Sequence, residues 1–67
     1  MIITGTEGER AARERAYVLA DSGRFHSVHD VEQALIAEGW SNAGQVMGGA
    51  HVRRVVAERC QAAGARH

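Results

Sequence analysis

SVHDVEQALIAEGWSNAGQVMGG, residues 27–49, carries a full set of helix signals: a cap, a helix, a glycine stop, a tryptophan and a second start. Ser27 with Asp30 three residues on forms a weak capping box, because aspartate is shorter than the glutamate that closes the box best. Val28, Val31, Ala34 and Leu35, with Ile36 at the edge, then recur at helical spacing and predict a buried stripe running to about Glu38. Gly39 reads as the left-handed residue that ends the helix. With Gly39 just past the end, Trp40 and Leu35 occupy the two positions whose side chains touch in a Schellman ending. Trp40 is therefore expected to fold back over this helix and roof the core. Asn42 can cap a third start with Val46 and Met47 on its apolar side, but Gly48-Gly49 opposes continuation at about 1 kcal/mol per glycine. A single short turn of helix is expected there.

Upstream, TEGE at residues 6–9 fits a capping box in which the Thr6 hydroxyl and the Glu9 carboxylate satisfy each other's amides, so the first helix is expected to start near Glu7. Along it Ala12, Ala16, Leu19 and Ala20 make one face with Tyr17 at the edge, and Arg10, Arg13, Glu14 and Arg15 make the solvated face. Gly23 ends it. Downstream, Val52, Val55, Val56, Cys60 and Ala63 recur from Ala50 onward, with Arg53, Arg54, Glu58 and Arg59 mostly opposite and Gly64 as the expected stop. Met1 to Thr4 is β-prone but too short to form a sheet alone; it would fray, lie across the bundle or pair with a second copy. The expected fold is all-α: residues 1–67 form one compact domain of three main helices and one short one, with a short N-terminal extended segment. Its expected core is Leu19, Val31, Leu35, Trp40, Val46, Val52 and Val56.

A chain of 67 residues buries only about 60% of its unfolded surface and sits near the size at which a core alone suffices. One cysteine excludes an internal disulfide, and no ligand cluster suggests structural zinc, so self-association is an expected source of further burial. No leader pattern or long apolar run is present, which predicts neither a signal peptide nor a membrane span and a cytoplasmic setting. The net charge is zero but divided: residues 1–50 hold four arginines against seven acids (−3), and residues 51–67 hold four arginines against Glu58 (+3). With arginine as the only strong base and many alanines and glycines, the composition suggests a GC-rich bacterial genome.

The helix, turn and helix from Val28 to Met47 has the outline of a helix-turn-helix, but the second helix offers only Asn42 and Gln45 as polar contacts. The last helix is better furnished, with Arg53, Arg54 and Arg59 available for phosphate or guanine. An ordinary solvated face, with Arg54 and Glu58 paired at i,i+4, accounts for the same residues. His26 and His29 are three apart beside Asp30, yet one precedes the cap and the other lies in the first turn, so they do not converge as a metal site needs. No metal or cofactor is therefore expected. Cys60 lies on an apolar stripe without a base, where cysteine behaves as a small hydrophobe. No nucleophile and base pair is legible and the domain is too small to enclose a small-molecule substrate, which argues against an enzyme.

Ile2, Ile3, Tyr17, Phe25 and Trp40 are more large apolar groups than so thin a bundle buries in one place, and they are the expected partner-binding residues. Alternatively Phe25 and Trp40, each following a glycine stop, close the two ends of the bundle. The leading expectation is a non-enzymatic interaction or regulatory module that binds itself, as a homodimer, or a protein partner. The alternative is a DNA-binding regulator that uses Asn42, Gln45, Arg53, Arg54 and Arg59.

Overall fold

The computed structural model describes residues 5–65, with side chains from Gly8 to Gly64. Its described part is entirely helical: α1 (Gly5–Asp21), α2 (Val28–Ala37), the single-turn α3 (Ala43–Met47) and α4 (Ala50–Ala65). The all-α bundle of three main helices and one short one is thus what the chain forms. The expected extended segment, Met1 to Thr4, lies outside the described residues, and Ile2 and Ile3 lie there with it. No described helix is long and apolar enough to cross a membrane.

The junctions show how closely local chemistry directs the chain. Ser27 is extended (φ −146°, ψ 164°) and its hydroxyl accepts from the Asp30 amide at 3.2 Å, the first half of the capping box. At the other end of α2, Gly39 is left-handed at φ +96°. The Trp40 amide donates to the Leu35 carbonyl at 3.1 Å and the Gly39 amide to the Ile36 carbonyl at 3.0 Å, the two bonds of a Schellman ending. Gly23, also left-handed at φ +79°, turns the chain after α1, and the Arg24 amide donates to the Ser22 hydroxyl at 3.2 Å rather than back to the helix. Ser22 satisfies a terminal carbonyl by donating from its hydroxyl to Leu19 at 2.6 Å.

Two expected boundaries move. The first helix starts at Gly5 rather than near Glu7, so Thr6 lies within its first turn instead of capping it. Gly64 does not end α4, which continues to Ala65; it keeps a helical backbone, and nothing lies within 4 Å of where its Cβ would be, so a final glycine costs the helix only its propensity.

The core is thin and alanine-rich. Among the described residues, twelve are buried and apolar: Leu19, Val31, Leu35, Val46, Met47, Val56, Cys60 and five alanines, Ala12, Ala16, Ala20, Ala43 and Ala63. The small side chains of α1 allow close approach of α4, the helix it packs against most extensively. Trp40 and Val52, expected inside, are half-buried and packed against the core, together with Tyr17, Phe25 and Val28. Ile36 is turned out at 50% exposure, one residue off the Val31 and Leu35 stripe.

Candidate interaction surfaces

Two polar clasps fix the helices and determine which side chains remain free. Arg59 of α4 donates from Nη1 to Asp21 Oδ2 at 2.7 Å, and its guanidinium carbon lies 4.9 Å from the centre of the Tyr17 ring. This joins a charge-assisted bond to a cation–π contact and ties α4 to the end of α1. Arg59, expected on the nucleic-acid list, is therefore occupied within the fold, and Tyr17 is half-buried beneath it.

The second clasp gathers Arg15, Glu38 and Trp40. Arg15 donates to both Glu38 carboxylate oxygens, from Nε at 2.9 Å and from Nη2 at 2.7 Å, and the Trp40 indole N–H donates to Glu38 Oε1 at 3.1 Å. The bond from Arg15 and then that from Trp40 hold the Glu38 carboxyl below its ordinary range, and the same partner raises Arg15. The indole is thus fixed by a bond at its edge as well as by packing against the core.

Beside Trp40 lies an open cleft of about 470 Å³ between the start of α1 and the turn joining α2 to α3. Glu9, Trp40, Ser41, Asn42 and Gln45 line it. Asn42, half-buried at the head of α3, makes no side-chain cap bond. Gln45 is exposed and also borders a smaller depression, of about 150 Å³, shared with Glu9, Arg13 and Val52.

The outer face of α4 presents His51, Arg53 and Arg54, all exposed. Arg54 and Glu58 are 3.8 Å apart with side chains 75% and 69% exposed, the i,i+4 pair the spacing predicts. The expected sites are therefore not assembled in one place: Asn42 and Gln45 border the cleft, while Arg53 and Arg54 stand exposed on α4, Arg54 in its surface pair with Glu58. Phe25 is half-buried against the core, as Trp40 is. His26 and His29 are both exposed, and no group of three or more potential metal ligands is gathered among the described residues. Cys60 is buried; burial pushes its thiol up, and the negative charges of Asp30 and Asp21 add to the effect.

Val18 and Ile36 did not figure among the expected site residues. They are the exposed large hydrophobic side chains of the described chain, at 56% and 50%, on the packed helices α1 and α2. For Val18 the signal was present, since it falls off the i, i+3, i+4 stripe of α1, whereas Ile36, expected at the edge of the buried stripe of α2, is turned out instead. Compared with known proteins, the chain matches no family model, no curated protein and no solved structure.

Proposed function

We propose that the chain is a small non-catalytic interaction module that works as a homodimer. The observation that carries this reading is the mismatch between its inside and its outside: five of twelve core positions are alanine, while Val18 and Ile36 remain half-exposed on the surface. A core of that kind removes little apolar surface from water, and a second copy offers the missing burial at about 25 cal/mol per Å². The double variant Val18→Gln and Ile36→Gln tests it. Sedimentation should show the dimer of the parent protein shifting to monomer while the helical circular dichroism is kept. A variant that remains as dimeric as the parent would refute these residues as the contact.

A second reading, that the protein binds DNA, is favoured by one observation: Arg53 and Arg54 are exposed on the first half of α4, beside exposed His51, with only a surface pair to Glu58 engaging Arg54. Phosphate contacts would make such binding fall steeply between low and moderate salt, whereas an apolar dimer contact is nearly salt-independent. The withdrawal of Arg59 into the clasp with Asp21 and Tyr17 leaves fewer contacts for this role and ranks it second.

A further inference from the structure

We infer that the cleft beside Trp40 is a binding site for an organic cation, a guanidinium or alkylammonium group, and that it operates whether or not the chain self-associates. Three features of the lining converge on that chemistry. Trp40 lines the cleft, an indole is the aromatic ring that best attracts a cation, and the bond from its N–H to Glu38 ties the edge of the ring in place before any ligand arrives. The charged group of the lining is the Glu9 carboxylate, and the ion pairs of the described residues, Arg10–Glu14, Arg15–Glu38, Arg54–Glu58 and Asp21–Arg59, do not engage it. A carboxylate accepts the short, charge-assisted bonds that a guanidinium or ammonium donates. Around these stand the Ser41 hydroxyl and the side-chain amides of Asn42 and Gln45, whose oxygens can accept further N–H donors, and Asn42 is not consumed by capping α3.

An anion would meet the Glu9 charge, since Arg13 borders the adjoining depression and not this cleft, and a purely apolar ligand would strand the amides. The volume, about 470 Å³, accommodates the head and several methylenes of a basic side chain with room to spare. The clasp that locks Arg15 to Glu38 also keeps Arg15 from competing for the ring, because its guanidinium is already bonded to both carboxylate oxygens.

The test uses Trp40 as its own reporter, since it is the chain's one tryptophan. The intact protein is titrated with N-acetyl-arginine amide, with the capped tripeptide Ala-Arg-Ala and with butylammonium, at constant ionic strength. The uncharged N-acetyl-citrulline amide is the control. The expected result is a saturable change in indole emission with the cations and none with citrulline, together with at least threefold weaker binding in Glu9→Gln. Glu9 is exposed, so that variant keeps its fold, which its circular dichroism checks. Tighter binding of the tripeptide than of the small cations assigns a basic protein side chain as the source; the reverse order assigns a free amine. Either order sustains the site. No saturable change, an equal change with citrulline, or undiminished binding by Glu9→Gln would overturn it.

Discussion

Leu35→Ala strikes the centre of the bundle. Leu35 is 0% exposed and belongs to the cluster formed with Leu19, Val31, Met47 and Val56. The substitution removes three buried carbons, about 2.4 kcal/mol at about 0.8 kcal/mol each. The cavity left behind adds to this, so the total falls in the range of about 2–5 kcal/mol found for buried leucines. At about 0.05–0.15 kcal/mol per residue, a chain of this length has about 3–10 kcal/mol to lose. Urea unfolding, followed by Trp40 emission and by helical circular dichroism at one protein concentration, measures the change. With a slope near the low end for small domains, about 1 kcal/mol/M, the midpoint should fall by about 2–5 M or the folded baseline should vanish. Gln33→Ala, on the exposed side of the same helix, should stay within about 0.5 kcal/mol of the parent. A Leu35→Ala midpoint within about 0.5 M of the parent would refute the assignment of this residue to the core.

The two glycines Gly39 and Gly44 should respond to alanine with opposite signs. Gly39→Ala forces a side chain into a backbone at φ +96° and should cost about 1–2 kcal/mol, while Gly44→Ala, helical and with open space around it, should gain about 0.5–1 kcal/mol; thermal midpoints moving in the same direction would contradict this. Glu38 holds its proton more weakly when folded than when unfolded, so its stabilising effect is fully present above its ordinary value of 4.5 and is lost as pH falls through the lower folded value. Glu38→Gln should accordingly flatten the loss of stability on acidification, and an unchanged acid slope in the variant would contradict the clasp. Replacing Arg53 and Arg54 together by alanine should leave the melting midpoint and the dimer mass nearly unchanged, because both side chains are exposed and Arg54 has only its surface pair to lose.

What could be read in the sequence was local. Ser27 and Gly39 act within four or five residues of themselves, and the cap and the Schellman ending follow from their own chemistry, as does the i,i+4 pair of Arg54 with Glu58. The single turn of α3 was legible from the glycine pair that stops it, but Asn42, expected to cap it, makes no side-chain cap bond. The features that were not legible depend on how the helices are rotated against one another. Arg59 finds Asp21 from 38 residues away and Arg15 finds Glu38 from 23, and helical spacing alone says nothing of either pairing. These two pairings fixed the fate of candidate residues: the first took Arg59 out of the free arginines, and the second set the Trp40 indole along a cleft rather than simply above the core. Ile36 shows the same limit on a smaller scale. It follows Leu35 directly, and only the packing of α2 determined which of the two neighbours is buried.

Light scattering of the purified chain, alone and with random-sequence duplex DNA, at low and at moderate salt, tests the homodimer most directly. The predicted result is a particle of about twice the 7.2 kDa chain mass that is indifferent to DNA and to salt. A monomer under all conditions, or a complex that forms with DNA at low salt and dissolves at moderate salt, would contradict it.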